Sequence, residues 1–359
     1  MIRPKLQDYV ARLFPGAKLI AIEPLAPDSG ATAGSTAKVA GYGKPVRLVI
    51  DDAGQRRDLV WRVAGTNEFG HDRRADRAAE TLLAYDDFPA MPSHIGAIDV
   101  GAIRGDGELV SLRDAGELYL LTTYAAGTIY AEDLRRLASG SPLTDLDVQR
   151  LDALADYLAD LHVPIPGGQT RYRRAIRDLV GHGEGIYGIV DGYSDDVPAA
   201  PPHRLYAIEE RCAAWRERLR DRGARLARTH GDFHPFNIVF DRIAPTLLDA
   251  SRGACGDPAD DVTALAINFV LFAIDARPTW RDALGVLWRR WWGRARELRP
   301  DPELLDVAPP FFAWRALVVC NPRFYPALSS RGRDALLGLA EQVLDSEHLD
   351  PQAAEALFT

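Results

Sequence analysis

The sequence predicts an α+β protein of two lobes, a small one with a mixed β-sheet over residues 1–124 and a mostly helical one over residues 125–359. Three observations carry this. Short runs of strand character, bounded by Gly, Pro, Asp or small residues, crowd into the first third of the chain. Apolar stripes at helical spacing fill most of the remainder. Within that remainder the stretch Thr229–Asp261 sets two short apolar runs, joined by a turn, between acids and an amide.

In chain order, Leu6, Tyr9, Val10 and Leu13 lie at helical spacing, and Phe14-Pro15-Gly16 ends that helix. A strand, Lys18–Pro24, leads into a small, polar segment from Asp28 to Thr36, and a second strand follows at Ala37–Val39. Strand, small-residue turn, strand suits a loop that covers nucleotide phosphates, because backbone N–H groups reach phosphate only where side chains do not intrude. Ser29, Gly30, Gly34 and Ser35 are the candidate contacts, although a flexible surface loop has the same composition. Val46–Ile50 and Asp58–Ala64 read as a hairpin across Asp51–Gly54, with Arg62 facing opposite to Trp61. A helix over Asp72–Tyr85 carries Asp76 and Glu80, spacing that a solvated face also shows. Ile95–Val100 and Gly107–Leu112 complete a five-stranded sheet, and Leu118–Tyr124 reads as a buried strand that ends in Ala125-Ala126-Gly127.

Beyond it, Leu151, Leu154, Leu158 and Leu161 stripe a helix over Asp147–His162, with Thr144 as N-cap and Pro164 as stop. Tyr172–Val180 and His203–Arg222 are further helices, separated by irregular acidic loops at 181–185 and 191–202 whose default reading is solvated. Val262–Ile274 is almost wholly apolar and reads as a buried helix capped by Asp260-Asp261. Helices then follow at 280–298, 302–308, 311–320 and 331–344. Five of the seven Trp fall in this last third, where such a stripe is core before it is an acceptor pocket.

Composition excludes some functions. Hydrophobic content of 47% with 26% charged residues is that of an ordinary globular protein, and the net charge of -8 argues against nucleic acid or an anionic membrane as partner. The acidic balance is compatible with a cationic small substrate. Cys212, Cys255 and Cys320 are odd in number and far apart, which fits a reducing compartment and no disulfide framework. With neither a signal-peptide core at the start nor a run near the roughly 18 apolar residues of a membrane span, the expected location is the cytoplasm.

The chemistry concentrates in His230-Gly231-Asp232, Asn237 five residues beyond that aspartate, and Asp249 at the end of the run Pro245–Leu248. Phosphoryl transfer needs a carboxylate to orient an attacking hydroxyl and accept its proton, and oxygen ligands to hold Mg²⁺ against nucleotide phosphates. Asp232 suits the first task; Asn237 and Asp249 suit the second. Ile238–Phe240 and Thr246–Leu248, as two strands joined by a turn, would set both metal ligands at strand edges. Two rival readings exist. Asp232 and Asn237 alone could be turn formers. His230-x-Asp232-x-His234 could ligate zinc for hydrolysis, but no second His and Asp cluster completes such a site.

The spacing Asp-x-x-x-x-Asn followed by a metal-binding Asp is also that of the protein-kinase catalytic loop. With Gly231 in place of its Arg and Gly256-Asp257-Pro258-Ala259-Asp260-Asp261 downstream, the stretch resembles the aminoglycoside phosphotransferase and choline kinase superfamily, sharply in Thr229–Asp261 and loosely from about residue 18 to 275. The resemblance implies a protein-kinase-like two-lobe fold and a kinase using ATP or GTP with Mg²⁺. It places Arg62 where the family has a phosphate-binding Lys or Arg, with Glu80, or Asp76 one turn earlier, as its acidic partner. Thr122, Thr123 and Tyr124 become the hinge whose backbone meets the nucleotide base, and Asp261 a support of the catalytic loop. The implied acceptor is an aminoglycoside-like or other hydroxylated antibiotic. Alternatives are a metabolic acceptor such as choline, a sugar amine, a nucleoside or an amino alcohol, or a non-catalytic nucleotide-binding module.

Overall fold

The computed structural model describes residues 2–25, 45–67, 69–166, 168–250 and 252–359. The chain divides into two compact units, Met1–Thr122 and Thr123–Thr359. Its class is α+β, a small antiparallel sheet in the first unit and a helical second unit.

In the first unit, α1 (Ile2–Leu13) buries Leu6 and Val10 against β1 (Lys18–Pro24). β1 pairs antiparallel with β2 (Val46–Asp52), which pairs in turn with β3 (Gln55–Trp61). The β2–β3 hairpin closes on Ala53-Gly54, both at positive φ, 52° and 84°, the mirror-image turn whose twist matches that of its strands. β2 is the central strand and buries Leu48, Val49 and Ile50. α2 (Arg74–Asp87) buries none of its residues. β4 (Gly101–Ile103) and β5 (Leu109–Ser111) form a separate two-stranded sheet, of which Leu109 joins the small core of Leu6, Val10, Ala17, Leu19, Leu48 and Ile50.

The expected five-stranded sheet is thus a three-stranded and a two-stranded one among the described residues. Ala37–Val39 and the segment with Ser29, Gly30, Gly34 and Ser35 lie outside those residues. Leu118–Tyr124 corrects a second expectation. Its residues join no strand and are exposed, since an apolar run makes a strand only where an edge offers its N–H and C=O groups partners.

In the second unit, β6 (Thr128–Ile129) runs into α3 (Tyr130–Ala138), and α4 (Asp145–Leu161) follows with Thr144 as its N-cap in a reciprocal capping box with Asp147. Next come α5 (Gln169–Gly181), α6 (Ile186–Asp191) and α7 (Pro202–Leu219). β7 (Ile238–Asp241) and β8 (Ala244–Leu247) form the anticipated hairpin, and β6 adds an unforeseen third strand through Ile129 opposite Val239.

α8 (Pro258–Ile274) is buried except at Asp260 and Phe272. Its cap is Asp257, whose side chain accepts from the Ala259 N–H, and not Asp260-Asp261, because Pro258 takes the first helical position and shifts the start forward. Thr263 and Asn268, the polar groups inside α8, each donate to the carbonyl four residues earlier. Around α8 pack α9 (Gly285–Leu298), α10 (Leu304–Val307), α11 (Pro309–Cys320) and α12 (Ser330–Asp345). Trp280, Trp288, Trp291, Trp292 and Trp314 are all core. Burial of such side chains stabilises by about 1.5–3 kcal/mol each. Among the described residues no helix is long and apolar enough to cross a membrane.

Candidate active site

The site is built on the turn that leads into β7. Asp261, on the first turn of α8 and wholly buried, accepts the N–H of His230 through Oδ2 and that of Gly231 through Oδ1, each at 2.8 Å. His162, one residue past α4, adds a third contact to Oδ2 at 3.0 Å. One carboxylate thereby fixes the backbone of the turn. Gly231 is required there: its φ is +79°, and a Cβ would stand 3.3 Å from Cβ of Arg252.

Next to this fixed backbone stands Asp232. Its N–H donates to Nδ1 of His230 at 3.3 Å, while Nδ1 of His234 takes the Phe236 N–H. These bonds engage the two histidines within the turn, which is how the structure uses the suspected zinc cluster. The Asp232 carboxylate is held at both oxygens. Oδ1 accepts from Arg315 at 2.7 Å, and Oδ2 lies 3.3 Å from Nδ2 of Asn237 and 3.4 Å from Nε2 of His234. Burial by itself would raise its pKa, but the His234 contact and the charges of Arg315, His234 and Arg252 outweigh burial and hold it well below the usual carboxylate range.

Asn237 and Asp249 come together through hairpin register. Ile238 faces Leu247, and one step on the Leu248 N–H donates to the Asn237 carbonyl at 2.8 Å, which sets Asp249 beside that end of β7. Asp249 itself is exposed, at φ 49°. The donor set fits Mg²⁺, a hard cation that takes oxygen ligands. The Asn237 amide nitrogen is spent on Asp232, which leaves its Oδ1 as the free end, and among the described residues the Asp249 carboxylate makes no hydrogen bond or ion pair.

The candidate residues of the first unit are not joined in the expected way. Arg62 follows β3 directly, and its guanidinium lies 5.8 Å from the Phe88 ring centroid. Glu80 pairs with His71 at 3.4 Å, and Asp76 with Arg73 at 3.4 Å. No Arg62–Glu80 ion pair is present among the described residues. Thr122, Thr123 and Tyr124 are exposed.

Three partners escape sequence reasoning. His162 braces Asp261. Arg225 grips Asp257 with two nitrogens at 2.8 and 2.9 Å, joined by the Tyr172 hydroxyl at 2.8 Å. Arg315 reaches Asp232 from 83 residues away. The signal for it was a lone charge in the otherwise apolar α11, PPFFAWRALVVC, since a buried guanidinium demands a carboxylate.

A family model described as the phosphotransferase enzyme family matches residues 40–298. No curated protein matches the chain. Similar solved structures include a glucosamine kinase (14% identity over 94% of this chain and 98% of that one, TM-score 0.44) and a thermostable mutant of aminoglycoside phosphotransferase APH(4)-Ia (14%, 94% and 98%, TM-score 0.37). Another is choline kinase LicA from Streptococcus pneumoniae (11%, 94% and 97%, TM-score 0.35).

Proposed function

Since the chain belongs to the phosphotransferase enzyme family, and so phosphorylates a hydroxyl acceptor, we propose that it is a small-molecule kinase with Asp232 as its base. In this reading the acceptor oxygen attacks the γ-phosphorus of ATP. An O–P bond forms, the bond to the ADP oxygen breaks, and the acceptor proton passes to the Asp232 carboxylate.

The observation that carries the reading is the state of that carboxylate. It is fixed, flanked by arginines that favour its ionised form, and bonded to the Asn five residues on, beside the hairpin end that bears Asp249. So weak a base could not deprotonate a free alcohol. It need not, because in a loose phosphoryl-transfer transition state the hydroxyl becomes acidic only as its bond to phosphorus forms. Asp232 therefore orients the hydroxyl first and takes the proton late. Asn237 and Asp249 would hold Mg²⁺, whose chemistry there is neutralisation of charge on the nucleotide phosphates. Arg62 and the small-residue segment with Ser29, Gly30, Gly34 and Ser35 are assigned to the phosphates, Glu80 to the support of Arg62, and Thr122–Tyr124 to the base of the nucleotide.

For the acceptor, an aminoglycoside-like or other hydroxylated antibiotic is taken first, and choline, a sugar amine, a nucleoside or an amino alcohol second.

The test is transfer of labelled γ-phosphate from ATP, and separately from GTP, to a panel of aminoglycosides, nucleoside antibiotics, choline and sugar amines, with Asp232→Asn as the blank. Product that is absent from the blank is expected. Mg-dependent nucleotide binding without product would move the acceptor outside the panel, and no binding at all would turn the reading to a non-catalytic module.

A further inference from the structure

Arg315 is the one charged residue of α11, and its side chain is only 4% exposed. Its guanidinium lies 3.9 Å from the Trp314 ring. One of its nitrogens donates to Oδ1 of Asp232 at 2.7 Å. The other donates to the Gly231 carbonyl at 2.9 Å and to Oδ1 of Asp260 at 2.7 Å. A planar fork thus joins the turn that carries the base to the first turn of α8. A lysine, a point charge on a flexible stem, could not reproduce that plane of contacts.

As mere glue this is a costly device. A buried ion pair often adds no more stability than apolar packing would, and α11 already packs against α8 through apolar side chains.

We infer that Arg315 is a positioning residue for the transfer reaction: by gripping Oδ1 of Asp232 at 2.7 Å it fixes the carboxylate plane and turns Oδ2, which has only the longer contacts to Asn237 (3.3 Å) and His234 (3.4 Å), to the acceptor hydroxyl. This rests on the reading of Asp232 as the base. Arg315 acts through Asp232 and touches no reacting atom itself.

The test uses the full chain with Mg·ATP, hydrolysed by water or spent on any acceptor the panel reveals, and compares Arg315→Met and Arg315→Lys with and without Asp232→Asn. Arg315→Met should lower kcat roughly 100-fold, the scale of a misplaced catalytic group, with KM for ATP unchanged. Arg315→Lys should recover part of that loss. In the Asp232→Asn background Arg315→Met should add nothing further. An Arg315→Met enzyme at wild-type kcat, or one whose loss is as large without the Asp232 carboxylate as with it, overturns the inference. Should Arg315→Met not fold, Arg315→Lys carries the test, and wild-type kcat in that variant overturns it equally.

A second arm needs no turnover. In ¹⁵N spectra of the arginine side chains, the Nη signal of Arg315 that faces Asp232 should shift in Asp232→Asn, as a charged acceptor becomes a neutral one, while the Nη held by Asp260 and the Gly231 carbonyl shifts less. Signals unaltered by that substitution overturn the inference, whereas full transfer activity of Asp232→Asn would instead defeat the kinase base assignment.

Discussion

Asp232 precedes and Asp249 follows one hairpin in the chain, and they are built in opposite ways. Both neighbourhoods use the left-handed backbone region, at Gly231 (φ 79°) before the first and at Asp249 (φ 49°) itself. Around Asp232 the protein leaves nothing loose: Asp261 ties the backbone, and Arg315, Asn237 and His234 share the carboxylate. Asp249 is exposed, with no side-chain partner among the described residues. On the proposed roles this difference is functional. A base must be aimed before its substrate arrives, so its order comes from the fold. A metal ligand has to keep its lone pairs for the ion.

The sharpest way to break this contrast is Asp232→Asn, which should reduce transfer by about 10²–10⁴-fold, the range of a general base, while Mg-dependent nucleotide affinity persists. Parallel loss of both, in a transfer assay and a nucleotide titration, would erase the division of labour between the two aspartates. Asp261→Ala comes next. It strips two backbone N–H groups and His162 of their acceptor and should cost about 3–5 kcal/mol in urea unfolding. Gly231→Ala should cost about 1–2 kcal/mol, the strain of a Cβ in the left-handed region.

Acid gives a smaller effect with a definite sign. The folded Asp232 carboxyl titrates below its unfolded value of about 3.9. Its contribution is therefore complete above that pH and is lost as pH falls towards the folded pKa. Urea midpoints measured from pH 6 to pH 3 should fall less steeply in Asp232→Asn, and an equal slope would contradict the assignment. The least effect on stability belongs to Asp249→Gly, expected within about 0.5 kcal/mol of wild type by thermal unfolding, although Mg-dependent nucleotide binding should vanish.

Much of this was legible in the sequence where the information is local. The β7–β8 hairpin, the order Asp232, Asn237, Asp249, and the Thr144 cap of α4 all depend on residues a few positions apart. Where the cause is distant, legibility fades. Nothing near Asp232 announces Arg315, and two residues at 128–129 are too few to reveal β6. Leu118–Tyr124 misleads in the other direction, as hydrophobicity is a property of the run and strand pairing a property of its neighbours. Likewise Asp76 and Glu80 show acids on a helix without telling which partner each will choose.

The burial of α8 has a consequence for how the protein is made. The ribosome delivers this greasy segment just before α9 and well before α11 and α12, which help to cover it. At about 5–20 residues per second, the helix waits for seconds with its apolar faces uncovered, a window in which nascent chains can associate or recruit a chaperone. The same delay applies to the carboxylates it carries. Asp260 meets its arginine only after α11 has been synthesised, so the turn before β7 is among the last parts of this unit to be set in order.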